Sequence, residues 1–129
     1  MSTRSRIGIE LKDGSILSVY HHYDGYPEWL GTKLEEHYNS KDKVSQLIDG
    51  GDMSVCLDDD GNPNPIYYSQ RGEDCPPQLD PSLGAYCDKL SGEEYHYVYK
   101  LVNDEYTWVC VDMNSFNDKD PQVVAIPSA

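Results

Sequence analysis

The sequence predicts a single α+β domain, with a mostly antiparallel sheet built from two hairpins and two short helices on one face. Two segments alternate apolar and polar side chains around a turn sequence, which is the two-residue period of half-buried strands. Between them, two segments carry apolar residues at helical spacing. The 129 residues show no repeat and no linker, so residues 1–129 are predicted to form one domain.

The first predicted hairpin is "RIGIELKDGSILSVYHHY". Ile7, Ile9 and Leu11 alternate with polar residues or glycine, and Asp13-Gly14 supplies the left-handed backbone that tight hairpins need. The return strand carries apolar side chains on both faces. The sequence therefore leaves open which face of this hairpin is buried.

Two helices follow the first hairpin. In "PEWLGTKLEEHYN", Pro27 suits a first helical turn, and Leu30, Leu34 and Tyr38 form one apolar stripe. Ser40 is predicted to cap a second helix, "KDKVSQLIDG", which a pair of glycines ends.

The second half of the chain predicts shorter elements and one clear hairpin. "DMSVCL" and "IYYSQ" are predicted strands, whereas "RGEDCPPQLDPSLG" holds too much proline and glycine for regular structure. "EEYHYVYKLV" and "YTWVCVDM" flank "NDE" and form the second predicted hairpin. Residues 114–129 are predicted to be either an edge strand through Val123–Ile126 or a frayed tail.

The formal charge of −13 is concentrated in the second part of the chain. Residues 1–50 hold six Lys/Arg and eight Asp/Glu, whereas residues 51–129 hold four and fifteen. Such a chain repels phosphate backbones, so direct nucleic-acid binding is not expected. The acidity either keeps a small protein soluble or imitates the charge of DNA toward a basic groove on another protein.

The cysteines and the N-terminus bear on the compartment. Cys56, Cys75, Cys87 and Cys110 form no CxxC pair, which argues against a zinc knuckle or a thioredoxin-type centre. No apolar leader and no membrane-length segment is visible in the sequence. We therefore expect an intracellular chain with reduced thiols, no membrane partner, no cofactor and no metal site, although four cysteines also allow two disulfides.

The stretch "YHHYDGYPEWLG" allows two interpretations. Adjacent strand residues point to opposite faces, so His21 and His22 do not converge on one metal. Asp24-Gly25 forms a turn and Pro27 begins a helix, so the run is explained as a corner. Alternatively, His22, Asp24 and a helix N-terminus within one turn form an anion or polar-ligand site.

The loop "DDDGNPNP" has the alternating Asp/Asn residues of a calcium loop, but the match fails at two positions. Pro63 stands at loop position six, where glycine is required, and Ser69 stands at position twelve, where glutamate is required. An acidic surface turn is the preferred interpretation.

The segment "SQRGEDC" is the second place where charged side chains cluster. Arg71, Glu73 and Asp74 surround a glycine just past a strand end, where either a salt-bridged loop or a binding site fits. Arg71 offers a planar, always-charged fork for a phosphate or carboxylate, and Arg4 and Arg6 could join it. The hydrolase-type serine, the phosphate loop and the dinucleotide fingerprint are all missing, so no catalytic residue is predicted.

Three segments, "STRSRIGIE", "VYHHYDGYPEWLG" and "YYSQRGED", resemble a family of small uncharacterised bacteriophage proteins. Members have a Thr-Arg-Ser run, a His-aromatic-Asp-Gly-Tyr-Pro segment and an Arg-Gly-Glu-Asp segment; "GEEYHYVYKL" and the following Trp108 are similar to their C-terminal hairpin. The single family histidine corresponds to His22, so His21 is a departure. The resemblance implies life in the cytoplasm of an infected bacterial host, and it implies no activity. It points to Thr3, Arg4, Ser5, His22, Asp24, Gly25, Tyr26, Pro27, Arg71, Gly72, Glu73 and Asp74.

Two functions compete on these observations. The first is a non-enzymatic accessory protein that binds and inhibits a host protein with a basic surface, a defence or nucleic-acid-handling factor. The second is a nucleotide-like small-molecule site, for sequestration or a minor hydrolytic reaction. The first is preferred. The predicted ligand- or partner-binding residues are Arg4, Arg6, His22, Asp24, Tyr26, Arg71, Glu73 and Asp74.

Overall fold

The computed structural model describes residues 3–87, 93–113 and 121–126, which form one curled, eight-stranded mixed sheet with short helices. The strands are β1 Ser5–Glu10, β2 Ile16–His21, β3 Met53–Leu57, β4 Pro63–Tyr67, β5 Gln78–Asp80, β6 Tyr95–Val102, β7 Glu105–Asp112 and β8 Gln122–Val124. The helices are a π-helical turn Pro27–Gly31, α1 Thr32–His37, α2 Lys41–Asp49, a 3-10 turn Tyr68–Arg71 and α3 Leu83–Cys87.

The strand order is β4-β3-β2-β1-β6-β7-β8, and β5 pairs separately with β2. Both predicted hairpins are confirmed, because β1 pairs antiparallel with β2 and β6 pairs antiparallel with β7. The sheet is nevertheless mixed, which corrects the mostly antiparallel sheet of two hairpins. β1 pairs parallel with β6, and β2 pairs parallel with β3 through a helical crossover.

The first predicted helix is present but divided. Pro27 begins a π-helical turn, and the regular helix α1 follows without a break in the chain direction. Ser40 caps α2 as predicted, since its Oγ accepts a hydrogen bond from the Lys43 backbone N–H at 3.3 Å. These helices pack on one face of the sheet.

The main core lies between these helices and the sheet. The buried face of the first hairpin is now clear, because Ile7 and Val19 face α1 and α2. Tyrosine and tryptophan rings join this core and keep their polar atoms satisfied: Trp108 Nε1 donates to the Tyr38 carbonyl oxygen at 2.8 Å. Large aromatic side chains therefore fill this core while their polar atoms reach backbone acceptors.

The opposite face of the sheet is covered as well, which the sequence did not predict. Tyr86 of α3 is fully buried against Ile16 and Val98, and its hydroxyl donates to the Tyr97 carbonyl oxygen at 2.8 Å. Together with β5, α3 gives regular structure to a segment expected to have none. Helices thus lie on both faces rather than on one.

At the far edge, β8 pairs antiparallel with β7. The remainder of the predicted tail, residues 114–120 and 127–129, lies outside the described residues. Within the described ranges, no helix is long and apolar enough to cross a membrane. The four cysteines are free thiols, and those of Cys56 and Cys110 are buried.

Candidate functional site

The stretch after β2 is a tightly packed corner. Gly25 N–H donates to the Thr3 carbonyl oxygen at 2.8 Å, and the Tyr97 hydroxyl donates to the Gly25 carbonyl oxygen at 2.7 Å. Asp24 occupies the left-handed region with φ of 56°, and Gly25 packs against the side chain of Ser5. The chain start and the Asp-Gly turn, two of the segments behind the phage-family resemblance, are therefore in direct contact.

We expect Gly25→Ala to lower the free energy of unfolding by about 1–3 kcal/mol through overpacking. An added Cβ would lie 2.7 Å from Ser5 Cβ and 2.8 Å from the Thr3 carbonyl oxygen, too close for any real contact. Urea denaturation measures the loss. Gly84→Ala is the matched control, because only the Ser82 hydroxyl lies near its added Cβ, at 3.8 Å. Equal stability of the two variants would contradict this account of the corner.

His21 is part of the core rather than of a surface site. Its Nε2 accepts a hydrogen bond from the Cys56 backbone N–H at 3.1 Å, so the ring proton is on Nδ1, which lies 3.3 Å from Ser5 Oγ. Burial, assisted by the charge of neighbouring His22, lowers the pKa of His21 to about 3. His21 therefore stays neutral, and both of its nitrogens hold backbone or hydroxyl partners.

His22 points to the other face of the sheet, where it meets aromatic side chains. A hydrogen bond of 2.7 Å joins the Tyr20 hydroxyl to His22 Nδ1, and the His22 and Tyr23 rings meet edge-on with centroids 4.5 Å apart. Partial burial raises the pKa of Tyr20, and the guanidinium of Arg4 opposes that rise. Arg4 thus lies close enough to Tyr20 to act on its charge.

The "QRGED" segment lies beside this group. The Arg71 guanidinium lies over the Tyr68 ring, 5.5 Å from its centroid. Burial raises the pKa of Tyr68, Arg71 lowers it, and Tyr23 and Glu73 raise it further. The two groups meet at Asp52, because the Tyr20 N–H donates to its Oδ1 at 2.8 Å and the Tyr68 N–H donates to its carbonyl oxygen at 3.1 Å. This neighbourhood is called the His22 cluster: Arg4, Tyr20, His22, Tyr68, Arg71 and Glu73.

Two other predicted binding residues, Arg6 and Asp74, are not members of the His22 cluster. Arg6 is 4% exposed, and its Nη1 lies 3.6 Å from Glu93 Oε1. Its Nε also donates to Ser18 Oγ at 3.0 Å, so its hydrogen-bonding capacity is directed into the protein. Asp74 is exposed in the loop beyond the 3-10 turn. The pKa of the neighbouring Cys75 thiol is raised first by burial, then by the carboxylates of Asp52 and Glu73, and least by that of Asp74.

Asp24 and Tyr26 line a different feature, a cleft of about 220 Å³ on the helix-bearing side of the corner. This corner cleft is lined by His21, Tyr23, Asp24, Tyr26, Trp29, Val55, Cys56, Leu57, Asp58 and Asp59. The end of β3 forms one wall, and the π-helical turn supplies Trp29. Carboxylates and aromatic rings therefore share one small concave surface.

The acidic loop after β3 is shaped by its own hydrogen bonds. Asp58 Oδ1 accepts from the backbone N–H groups of Asp60 at 3.0 Å and Asn62 at 2.9 Å. This ring of contacts makes the reversal between β3 and β4, as expected for a surface turn. Among the described residues, no group of three or more His, Cys, Asp or Glu side chains is arranged to hold a metal ion.

Sequence reasoning missed Trp29, Asp58 and Asp59 as neighbours of the opening corner. Trp29 lies one position from the apolar stripe of the predicted helix, which places it at the margin of the core. Asp58 and Asp59 follow a strand that pairs in parallel with β2, and no local pattern predicts that pairing. The signal that the sequence offered was Trp29 itself, a large aromatic residue that closely follows the Asp24-Gly25 turn.

The chemistry of the corner cleft favours binding over covalent catalysis. Burial raises the pKa of the Cys56 thiol to about 12, opposed by a hydrogen bond with the Tyr38 side chain. Both nitrogens of His21 already hold hydrogen bonds, to the Cys56 backbone N–H and to Ser5 Oγ, so His21 is not placed as a base for the Cys56 thiol. Comparison of the chain with known protein families, curated proteins and solved structures gives no match.

Proposed function

We propose that this chain is a non-enzymatic acidic accessory protein of a bacteriophage that binds and inhibits a basic protein of the infected host. The proposed target is a defence or nucleic-acid-handling factor in the host cytoplasm, whose DNA-binding surface the acidic protein occupies. Charge is the first support. Among the described residues, the exposed acidic side chains are Asp13, Asp24, Glu28, Glu35, Glu36, Asp42, Asp49, Asp59, Asp60, Glu73, Asp74, Asp104 and Glu105. The exposed Lys and Arg side chains there are Arg4, Lys12, Lys41, Lys43 and Arg71.

The observation that carries the proposal is the corner cleft. It combines aromatic rings with carboxylates, and Tyr23 and Tyr26 are 48% and 37% exposed. Exposed tyrosine and tryptophan rings are enriched where proteins bind one another, because they bury large areas with few rotatable bonds. Charge of one sign around such rings gives selectivity for a partner of the opposite sign.

Salt-dependent capture from a bacterial lysate tests this proposal. The immobilised protein is expected to retain a basic host protein at about 50 mM salt and to release most of it at about 300 mM, because screening shortens the reach of surface charge. Duplex DNA added as competitor should displace the same protein. The captured protein, once purified, should lose its DNA binding when the acidic protein is added.

An unrelated acidic protein of similar net charge is the control for nonspecific retention. No retained protein, or a complex that withstands high salt and excess DNA, would contradict the proposal. A captured protein that keeps its DNA binding in the presence of this chain would contradict inhibition by charge imitation.

The His22 cluster supports a second candidate function, the binding of a nucleotide-like anion. The specific observations are the Tyr20–His22 hydrogen bond and the Arg71–Tyr68 contact, whose two tyrosines both donate their backbone N–H groups to Asp52. A panel of nucleotides at about 100 times Kd should stabilise the protein by about 2.7 kcal/mol and raise its melting temperature. Arg71→Ala should abolish the rise, and no rise with any nucleotide would eliminate this candidate.

A further inference from the structure

We propose that the corner cleft receives one arginine side chain of the partner, with its guanidinium between the aromatic rings and the carboxylates. This inference rests on the proposed function, because it identifies the chemical group by which a basic partner is held. It goes beyond overall charge, since it assigns a place and a geometry to the contact.

The size of the corner cleft suits a single side chain. Its volume of about 220 Å³ is below the roughly 300–1,000 Å³ of sites for cofactors and drug-sized ligands. Val55 and Leu57 of β3 belong to the lining, which offers apolar contact to the aliphatic stem of a long side chain. A nucleotide is too large and carries the wrong charge for this cleft.

The aromatic lining selects a cation. Tyr23, Tyr26 and Trp29 all line the corner cleft, and cations are attracted to the faces of such rings. The protein already places one cation against this lining: Lys33 Nζ lies 5.9 Å from the centroid of Trp29. Lys33 also forms an ion pair with Glu36 at 3.1 Å, so its own charge is engaged outside the cleft.

The carboxylates of the corner cleft are available to a guest. Within the described part of the chain, none of Asp24, Asp58 and Asp59 forms an ion pair with Lys, Arg or His. Asp58 is fixed by its hydrogen bonds to the acidic loop, whereas Asp24 and Asp59 are exposed at the rim. A cation entering the cleft would therefore meet carboxylates that form no ion pair with a described Lys, Arg or His side chain.

A guanidinium fits this combination better than an ammonium. It is planar, stacks on aromatic faces and donates paired N–H groups to carboxylates, whereas an ammonium is a compact and strongly hydrated point charge. The neutral, buried ring of His21 lines the cleft without adding positive charge that would repel the guest. The lining therefore assigns the site to arginine.

Nuclear magnetic resonance of the whole chain tests the assignment with a model ligand. The protein has two tryptophans, Trp29 and Trp108, so only two indole N–H signals have to be assigned, and Trp29→Phe identifies which is which. N-acetyl-arginine amide should shift the Trp29 signal with Kd on the order of 1–10 mM, as expected for one cationic contact. Trp108 donates its indole N–H within the core and serves as the internal reference.

Matched ligands and variants make the test specific. The uncharged N-acetyl-citrulline amide should bind at least about fivefold more weakly, since it keeps the shape and loses the charge. The double variant Asp24→Asn/Asp59→Asn should weaken arginine binding by about tenfold, whereas Asp104→Asn/Glu105→Gln should not change it. The control removes the same charge, and Asp104, like Asp24, has positive φ, at 68°.

Three results would overturn the assignment: an unmoved Trp29 signal, equal binding of citrulline, or equal binding of N-acetyl-lysine amide. Its failure is distinguishable from failure of the proposed function. If both double variants capture the host protein equally well, the corner cleft is not the contact, although the acidic protein still binds a partner. If arginine binds in the cleft and no host protein is captured, the proposed function fails and the cleft assignment stands.

Discussion

Arg6→Met is expected to lower the free energy of unfolding by about 3–5 kcal/mol, because it removes the Arg6 guanidinium from the buried Glu93 carboxylate. The Arg6 and Glu93 side chains are 5% and 4% exposed, and Arg6 Nη1 lies 3.6 Å from Glu93 Oε1. Removing one member of such a pair costs far more than the pair contributes, since the remaining charge cannot be hydrated. The loss should be measured by urea denaturation near pH 7.

Two further hydrogen bonds depend on the same guanidinium. Arg6 Nε donates to Ser18 Oγ at 3.0 Å, and Nη2 donates to the Ser18 carbonyl oxygen at 3.2 Å. Ser18 lies on β2 and is fully buried, so both of its oxygens would lose a charged donor in the variant. These contacts join β1 to β2 on the face that α3 covers.

Arg4→Met is the matched control, because Arg4 precedes Arg6 by two residues and is exposed. We expect its effect to stay within about 0.5 kcal/mol. The double variant Arg6→Met/Glu93→Leu should recover much of the loss, since both charges are then gone. A loss below about 1 kcal/mol for Arg6→Met, or no recovery in the double variant, would contradict this account. The Arg6–Glu93 ion pair would then not be what stabilises the face of the sheet that α3 covers.

This prediction also separates structural arginines from binding ones. Arg6 was among the residues predicted to bind a ligand or partner, and its place in a buried ion pair gives it a structural role. Binding studies on the His22 cluster should therefore substitute Arg71, which is exposed, and leave Arg6 unchanged. Otherwise, loss of folding would be mistaken for loss of binding.

Local patterns in the sequence were sufficient for much of the fold. Alternation predicted β1, β2, β6 and β7, and turn residues predicted both hairpins, because neighbouring strands in a hairpin need only short-range information. The parallel pairing of β1 with β6 joins Ser5 to Tyr95 across most of the chain. No local periodicity encodes that partner, so the mixed sheet was not predictable from the same signals.

The Pro- and Gly-rich segment shows a different limit of predicting structure from local sequence. It was predicted to be irregular, yet it contains β5 and the short helix α3. Tyr86 is fully buried in the core, and its hydroxyl donates a hydrogen bond to the Tyr97 carbonyl oxygen. Tertiary burial of one large side chain thus stabilises a helix too short to form from propensity alone.

The opening corner and the "QRGED" segment were predicted to supply one site, and the structure divides the residues between two features. His22 and Arg71 lie in the His22 cluster, whereas Asp24 and Tyr26 line the corner cleft with Trp29. The division follows from strand alternation, since His21 faces the helices and His22 therefore faces the opposite side. The sequence identified the corner but could not supply the β3 wall that makes it concave.

The second large effect is expected from pH. His21 is buried and neutral in the folded protein with a pKa of about 3, against 6.5 for an ordinary histidine. Between these values the unfolded chain binds a proton that the folded protein does not, so stability falls as pH decreases from about 6.5 toward 3. The slope from this group is about 1.4 kcal/mol per pH unit. The full contribution is present above pH 6.5.

His21→Gln isolates this contribution from the carboxylates that titrate over the same range. At pH 7 the variant should be less stable than wild type, because the Cys56 N–H and Ser5 Oγ lose their imidazole partner. Its deficit should shrink by about 3 kcal/mol between pH 6.5 and 4, since glutamine takes up no proton on unfolding. Urea denaturation at half-unit intervals of pH measures the difference.

Ser40→Ala is the control, because it removes the cap of α2 and keeps His21. Its deficit of about 1 kcal/mol should not change with pH over this range. A deficit of His21→Gln that is constant with pH would mean that His21 takes up its proton as readily in the folded state as in the unfolded state. The His21 side of the corner cleft would then gain positive charge as the pH falls below about 6.5, and arginine binding would weaken over that range. The pH profile thus tests, without any ligand, whether the lining of the corner cleft stays neutral below pH 6.5.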